Sequence, residues 1–287
     1  MRVSFRGVTL TLVVGWLVLF ALLPNLLVIG SSLLNRSVES FVAWPPTLEA
    51  YRRLFDPIYW EILLHSLKLA AMATVIALLL GYPLAVVMAR AGRRWQLWLL
   101  LLLILPFWTN SLVRVYAIKS ILGTRGLINT TLLDLGLIEQ PLNLLYTEFA
   151  VVFGLVYVLF PFMVLPLYAS LERLDPRLLE AGRDLGANAL QRLWRITLPL
   201  TLPGIIAGSL MVFLPAMGMF YIADLLGGAK NMLLGSVIKN QFLSSNDWPL
   251  GSALSVALMV MLGGMLWLYW RAVRYSRTKG GLDSGHF

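Results

Sequence analysis

Residues Glu180–Pro199 read EAGRDLGANALQRLWRITLP, a charged, glycine-containing segment that separates two long apolar segments. Across the whole chain, 59% of the 287 residues are hydrophobic and 13% are charged, whereas ordinary soluble domains carry about 25% charged residues. The lipid bilayer must therefore be part of the solvent of this chain. A charged segment in such a chain is where a membrane-embedded body meets something soluble.

The segment is predicted to form two short helices joined by a turn. The dipeptide Asp175-Pro176 is typical of an N-cap followed by the first helical position. Gly186 is placed to end this helix in the left-handed conformation. Asn188, with Gln191 three residues later, resembles a capping box, which predicts a second short helix that ends near Pro199.

One side of the first predicted helix is a stripe of small and apolar residues, and the remaining surface is charged. The stripe consists of Leu178, Ala181, Gly182 and Leu185, and the charged residues are Arg177, Glu180, Arg183 and Asp184. An amphipathic helix on lipid headgroups is one interpretation, although bulkier residues and fewer acids would suit that place. Because small residues let a partner approach closely, docking to a protein is favoured.

Six segments are long and apolar enough to cross a bilayer, which takes roughly 20 mostly apolar residues. They are Gly7–Asn35, Leu69–Ala89, Trp95–Val113, Phe149–Leu171, Ile196–Ala223 and Trp248–Trp270. The first resembles a secretory signal peptide, but its uncharged run exceeds the usual ~7–15 apolar residues, which favours an uncleaved span. The sequence thus predicts an all-α membrane protein with six transmembrane helices.

The predicted organisation has three parts. Residues 1–60 hold the first span and an outer loop, residues 61–274 form the transmembrane domain with residues 175–199 inside it, and residues 275–287 are a cytoplasmic tail. Most Lys and Arg residues lie in the termini and in the connections on the same side as Glu180–Pro199, whereas the opposite connections hold slightly more acids than bases. The positive-inside rule therefore predicts that both termini are cytoplasmic. The net charge of +9 is then a signal of membrane topology and not of nucleic-acid binding.

Several kinds of catalytic site are excluded by the sequence. No cysteine occurs, which excludes disulfides, thiolate metal sites and cysteine nucleophiles. The two histidines, His65 and His286, are too far apart to suggest a metal site, and no nucleotide-binding G-x-x-x-x-G-K-[ST], H-E-x-x-H or G-x-S-x-G motif occurs. No catalytic or metal-binding residue is predicted. Few charges lie in the spans, so an ion-coupled secondary transporter is disfavoured.

The spacing within the charged segment resembles a known motif. Glu180-Ala181-Gly182, three residues, Gly186, nine residues, Ile196, one residue and Leu198-Pro199 resemble the E-A-A-x3-G-x9-I-x-L-P motif of ABC importer permeases. The one departure is Gly182, another small residue, in place of the second alanine. The resemblance implies a type I importer permease fold, in which Glu180–Gly186, including Asp184, is a coupling helix that inserts into a cleft of a cytoplasmic ATPase.

Four further stretches, residues 105–111, 179–187, 199–208 and 224–231, look like the permeases of spermidine/putrescine importers. This resemblance implies a bacterial inner-membrane complex of two related permeases, an ATPase dimer and a periplasmic polyamine-binding protein. ATP and Mg would be bound by the ATPase subunits, and no cofactor by this chain. Transport would proceed by alternating access. Permeases for sulfate, ferric iron or phosphonate are similar, so another small solute remains an alternative cargo.

Polar residues at the outer ends of three spans are candidates for the cargo pathway: Lys68, Asn110 and Asp224. On a straight helix, Asp224 would lie about 31 Å from Pro203, with Tyr221 and Met217 on the same face. A carboxylate can pair with the ammonium groups of a polyamine, and aromatic faces add cation–π contacts. The candidate aromatic residues are Trp108, Tyr157, Phe160 and Tyr221.

Each of these residues also has a structural interpretation. Asp224 could instead form a salt bridge with Lys230, Lys68 or Arg114, or cap the outer end of its span. The aromatic residues could simply pack. Lys68 and Arg114 would repel a polycation, so they are predicted to be structural or to gate the pathway.

Overall fold

The computed structural model describes residues 5–37 and 41–280, which are largely helical and contain no β-strand. The α-helices are α1 (Phe5–Leu17), α2 (Leu23–Ser32), α3 (Glu49–Arg53), α4 (Pro57–Arg90), α5 (Arg93–Ile104), α6 (Ser111–Leu122), α7 (Leu127–Asp134), α8 (Glu148–Glu172), α9 (Pro176–Asp184), α10 (Ala189–Arg192), α11 (Leu198–Gly218), α12 (Phe220–Ile222), α13 (Leu234–Leu243) and α14 (Trp248–Gly280). Turns of π-helix occupy Val18–Leu22, Leu193–Thr197 and Ala223–Gly227, and 3-10 turns occupy Leu105–Trp108 and Ala229–Asn231. Of the predicted tail, residues 281–287 lie outside the described residues.

The predicted class, an all-α membrane protein, is confirmed. Five helical segments among the described residues are long and apolar enough to cross a membrane, and a sixth exists if one bent pair is counted as a single span. The five are Thr9–Ser32, Pro57–Arg90, Glu148–Glu172, Ala189–Gly218 and Trp248–Arg271. Their apolar side chains need no water because lipid or a partner subunit can cover them.

The third predicted span, Trp95–Val113, does not form one straight helix. Residues Arg93–Trp108 and Ser111–Asp134 are bent by 91° relative to each other. The helix narrows to a 3-10 turn at Pro106, which has no backbone N–H to donate. The chain starts a new helix at Asn110, whose side chain accepts a hydrogen bond from the backbone N–H of Leu112 at 2.9 Å.

The described residues fall into two compact units. The first contains residues 5–37, 41–61 and 237–280 and is built on α14, which packs against α2 and α3. The hydroxyls of Ser31 and Ser252 lie 2.7 Å apart and join α2 to α14. The hydroxyls of Ser32 and Tyr51 lie 2.8 Å apart and join α2 to α3. Short polar bonds of this kind hold helices together where apolar burial adds little.

A buried carboxylate is the polar centre of the first unit. The side chain of Asp247 is 2% exposed, and its Oδ2 lies 2.7 Å from Nη1 of Arg53 and 3.8 Å from Nη1 of Arg36. Its Oδ1 accepts a hydrogen bond from the backbone N–H of Leu250 at 3.2 Å, which caps α14. The hydrogen bond that Arg53 donates to Asp247 raises the pKa of Arg53 above its usual value, so the guanidinium stays charged.

We expect Asp247→Asn to lower the free energy of unfolding of the chain by about 2 kcal/mol, because a charge-assisted hydrogen bond is lost while the cap acceptor remains. Thermal unfolding of the purified protein in detergent, followed by tryptophan fluorescence, should show a lower Tm. Asp134→Asn removes an exposed carboxylate and should leave Tm unchanged. Equal Tm values for the two variants would contradict a stabilising role for the Asp247–Arg53 pair.

The second unit contains residues 62–236 and is built around α8. Most residues along α8 are buried, and α11 packs along it. The hydroxyls of Tyr82 on α4 and Thr201 on α11 lie 3.1 Å apart. Because α8 has protein neighbours on several sides, its one glycine, Gly154, lies where Ile222 and Leu226 approach closely.

Candidate functional site

The first helix of the charged segment forms as predicted. The side chain of Asp175 accepts a hydrogen bond from the backbone N–H of Arg177 at 3.0 Å, and Pro176 opens α9. Gly186 has a φ of +80° and donates its N–H to the carbonyl of Arg183 at 2.9 Å. The left-handed conformation at Gly186 is the one that glycine adopts without steric cost. The predicted caps of α9 are confirmed.

The second helix begins as predicted but does not end at Pro199. Asn188 and Gln191 form the predicted capping box, with hydrogen bonds of 2.8 and 2.9 Å. Helix α10 then continues through the π-turn Leu193–Thr197 into α11. The π-turn supplies a wider hydrogen-bonded ring directly before Pro199, so the missing N–H of that proline does not break the helix.

The stripe of small and apolar residues on α9 is divided between two directions. A Cβ added to Gly182 would lie 2.6 Å from Cδ1 of Ile196, so Gly182 is the place where α9 packs against its own following helix. Ala181 and Leu178 are exposed, and Leu185 is 88% exposed. The close approach that Gly182 allows is thus to its own following helix, and its role in coupling to an ATPase stays a prediction.

The exposed surface of α9 carries charged side chains and one large apolar side chain. Glu180, Ala181, Asp184, Leu185 and Gly186 are exposed. Behind this surface, Leu198 is half-buried and Pro199 is exposed. We define the exposed set Glu180, Ala181, Asp184 and Leu185 as the α9 surface. Its acids and its exposed leucine are available to a soluble partner.

Two of the predicted pathway residues lie together in a cavity of the second unit. Tyr157 and Phe160 on α8 line an apolar cavity of about 440 Å³, together with Phe107 and Arg114. Trp108 is 80% exposed and does not line this cavity, and Asn110 caps α6. The structure thus brings Tyr157 and Phe160 together but places Trp108 and Asn110 outside the cavity.

A cation of the chain itself sits in the aromatic cavity. The guanidinium carbon of Arg114 lies 4.8 Å from the ring centroid of Phe107 and 6.0 Å from that of Tyr157. Its Nε is buried without a hydrogen-bond partner among the described residues. Sequence reasoning did not select Phe107, although it lies next to the helix-breaking Pro106. The arrangement shows that these rings can hold a cation by their faces.

Asp224 and Tyr221 do not continue the straight helix that was predicted. Helix α11 ends at Gly218, Met219 has a ψ of 72°, and Asp224 follows in a separate π-turn. Met217 is fully buried, whereas Tyr221 is half-buried and Asp224 is exposed. The prediction of one shared helical face is therefore wrong, and the rise along a straight helix does not give the depth of Asp224.

Lys68 is held by an acid that sequence reasoning did not select. Its Nζ donates to both carboxylate oxygens of Glu148, at 3.0 and 2.8 Å, and Nδ1 of His65 lies 3.8 Å from the same carboxylate. Glu148 is the first residue of α8, after the N-cap Thr147. In the sequence, a threonine followed by a glutamate directly before a long apolar run could have indicated a helix start with an acid in its first turn. The predicted structural role of Lys68 agrees with this pairing.

Comparisons with known proteins place these features in a family. The family described as "Binding-protein-dependent transport system inner membrane component" matches residues 81–279. The chain is 55% identical over 271 residues to the spermidine/putrescine transport system permease protein PotB of Escherichia coli K12, covering 94% of this chain and 98% of that protein. It is 51% identical over 280 residues to PotB of Haemophilus influenzae, covering 98% of each.

Solved structures show the same fold at low sequence identity. A crystal structure of a bacterial ABC transporter that imports the acidic polysaccharide alginate matches with a TM-score of 0.68 and 17% identity, over 93% of this chain and 94% of that chain. A second alginate transporter structure, in complex with an alginate pentasaccharide-bound periplasmic protein, matches with a TM-score of 0.70 and 15% identity, over 91% of each chain. The chain therefore belongs to the family of inner-membrane permease components of binding-protein-dependent ABC importers.

Proposed function

We propose that this chain is a permease subunit of an ATP-driven importer that takes up spermidine or putrescine. The observation that carries the proposal is the 51–55% identity to PotB proteins over nearly the whole length of both chains. The faces of Phe107 and Tyr157 suit an ammonium group of the cargo once the guanidinium of Arg114, which would repel a polycation, has moved away from them. A second related permease and a periplasmic polyamine-binding protein complete the transport path.

The orientation follows from the charges. Basic residues are concentrated on the side of the α9 surface, so that side and both termini are cytoplasmic. The connections between α6 and α8 and between α11 and α14 then face the periplasm. Cargo enters from that side, and the binding protein docks there.

ATP hydrolysis takes place in a cytoplasmic ATPase dimer, and this chain transmits the motion. The sequence has no phosphate-binding loop of its own, so ATP and Mg are bound by the ATPase subunits. The α9 surface inserts into the ATPase, with Glu180, Ala181 and Asp184 at the contact. Gly182, Gly186, Ile196, Leu198 and Pro199 hold α9 on the helix that continues into the membrane. Closure of the ATPase dimer opens the permease outward, and hydrolysis resets it.

Reconstitution of the complex tests this function. The permease pair and the ATPase dimer are placed in lipid nanodiscs, and ATPase activity is measured with the binding protein loaded with spermidine or putrescine. Stimulation by a polyamine-loaded binding protein, and none by sulfate-loaded or phosphonate-loaded homologues, is the expected result. Uptake by the purified chain alone, driven by an ion gradient, would contradict the proposal.

The site for the cargo includes Asp224, and we expect Asp224→Asn to lower spermidine uptake about tenfold while leaving assembly of the complex intact. Asp224 is exposed and follows the half-buried Tyr221 by three residues. We propose that the carboxylate pairs with an ammonium group that also contacts an aromatic face. Uptake of radiolabelled spermidine into proteoliposomes measures the effect. Glu139→Gln, which also neutralises an exposed acid, is the matched control. Unchanged uptake in Asp224→Asn would remove Asp224 from the pathway.

A further inference from the structure

The connection from α6 to α8 contains a polar pocket that the cargo pathway above does not include. Its volume is about 470 Å³, within the range of ordinary ligand pockets. The polar residues of its lining are Ser120, Thr124, Arg125, Asn143 and Tyr146. This composition differs from that of the aromatic cavity, which is almost wholly apolar apart from Arg114.

The two walls of this pocket are joined by a fully buried amide. Nδ2 of Asn129 donates to the carbonyls of Gly123 and Leu142, both at 3.0 Å, and its Oδ1 accepts from the N–H of Leu142 at 2.7 Å. A Cβ on Gly126 would overlap the backbone of residues 120 and 121, so the loop is closed tightly. The pocket is therefore preformed, which lowers the entropic cost of binding.

The aromatic wall is fixed in a conformation that is costly for tyrosine. Tyr146 has a φ of +60°, in the left-handed region that residues other than glycine, asparagine and aspartate rarely adopt. Its N–H donates to the carbonyl of Leu226 at 2.8 Å, and its carbonyl accepts from Nδ2 of Asn231 at 3.1 Å. Strained residues that are held in place from several sides occur mainly at functional sites. The hydrogen bonds of its backbone therefore hold Tyr146 at the wall of the pocket.

The pocket carries positive charge. Arg125 is exposed in its wall, and Nζ of Lys119 lies 5.9 Å from the ring centroid of Tyr146. Within residues 5–37 and 41–280, no acidic side chain forms an ion pair with either cation. A polyamine would be repelled here. A carboxylate would be attracted, with Thr124 and Asn143 among the lining residues as further donors.

The surroundings of the pocket resemble a protein interface more than a small-molecule site. Leu127, next to the lining residue Gly126, is 69% exposed, and Leu142, next to the lining residue Asn143, is 42% exposed. Arginine and tyrosine beside exposed apolar side chains are the residues that carry most binding energy in protein–protein contacts. The combination favours a docked protein loop that ends in an acid.

We propose that this pocket receives an acidic side chain of the periplasmic binding protein when that protein docks on the permease. The inference rests on the proposed function, which places the connection from α6 to α8 on the periplasmic side. The carboxylate pairs with Arg125, the ring of Tyr146 packs against the docked loop, and Leu127 and Leu142 cover its apolar part. The same positive charge keeps the polyamine out of the pocket while the binding protein is held.

Charge reversal at Arg125 tests the pocket. In the nanodisc complex, Arg125→Glu should raise the concentration of spermidine-loaded binding protein that gives half-maximal ATPase stimulation by at least about tenfold, because an attraction becomes a repulsion. ATPase activity without the binding protein should not change. Arg125→Lys keeps the charge and should show a smaller effect. Arg52→Glu reverses an exposed arginine of α3, outside the pocket, and is the matched control.

The outcomes separate this inference from the proposed function. If the wild-type complex is not stimulated by any polyamine-loaded binding protein, the proposed function fails. If the wild type is stimulated and Arg125→Glu behaves like it, the pocket is not the docking site. An equal loss in Arg52→Glu would also overturn the inference, since it would reflect the overall charge and not this pocket.

If the complex with Arg125→Glu fails to assemble, a cross-linking experiment tests the pocket independently. The chain has no cysteine, so Thr124→Cys provides a single attachment point at the pocket for a maleimide photocross-linker. Spermidine-loaded binding protein should be captured, and the cross-linked peptide should contain Asp or Glu. Capture of the second permease, or of lipid only, would contradict the inference.

Discussion

Replacement of Gly204 by leucine is expected to prevent the chain from accumulating as a folded permease. Gly204 is buried on α11, where a Cβ would lie 2.5 Å from Cβ of Ser170 and 2.8 Å from the carbonyl oxygen of Pro166 on α8. A backbone carbonyl cannot rotate away as a side chain can. The two helices would have to separate along their contact, and α8 is the helix around which the second unit is built.

The size of this effect follows from the packing. Overfilling a tight core position costs about 1–3 kcal/mol when side chains can move aside, and we expect a larger loss here because the obstacle is backbone. Folded proteins are stable by only about 5–15 kcal/mol. The gain from replacing a helical glycine is less than about 1 kcal/mol, so it does not compensate.

The measurement is the yield of monodisperse protein after detergent extraction, followed by Tm. Gly264→Leu is the matched control, because it makes the same change in α14 at a position where a Cβ meets no atom within 4 Å. We expect a severe loss for Gly204→Leu and a near-normal yield for Gly264→Leu. Similar yields for both variants would show that the close approach of α8 and α11 is not needed for folding.

Features with short-range causes could be predicted from the sequence. The caps of α9 and the capping box at Asn188 each join residues two to four positions apart, so the pattern of side chains determines them. The positive φ of Gly186 belongs to the same class. Long uninterrupted apolar runs likewise gave the spans, because bilayer thickness sets a length that is visible in the sequence.

Features that depend on how helices pack could not be predicted. The Lys68–Glu148 pair joins positions 80 residues apart on α4 and α8, and the contact of Gly182 with Ile196 depends on the turn between α9 and α10. The break at Met219 was also missed, although Gly218 directly before it and Pro215 one turn earlier were available signals of a helix end. These failures fall mostly in the cargo pathway, where straight-helix spacing was used to place Asp224.

The aromatic cavity shows a contact of one predicted pathway residue that the sequence did not indicate. Tyr157 was selected as a face for a cationic cargo, and in the structure that face is near the guanidinium of Arg114. The rings are occupied by a cation of the chain itself. This arrangement agrees with both predicted roles of Arg114, a structural one and a gating one.

Replacement of Leu185 by aspartate is expected to abolish uptake by separating the permease from its ATPase. Leu185 caps the C-terminal end of α9, is 88% exposed and stands beside Gly186. Burial of a leucine on docking stabilises a complex by about 1.5–3 kcal/mol. A carboxylate at the same place loses this contribution and must also be desolvated without a partner. Together these effects should weaken binding of the ATPase by more than about a hundredfold.

The experiment is affinity purification of the permease from cells that also produce the ATPase, combined with polyamine uptake. In Leu185→Asp, the ATPase should be absent from the purified complex and uptake should be lost, whereas Tm of the permease itself should be unchanged because the side chain is exposed. Leu185→Met keeps an apolar side chain of similar size and should retain both the ATPase and uptake. Normal recovery of the ATPase with Leu185→Asp would show that the α9 surface is not where the motor subunit binds.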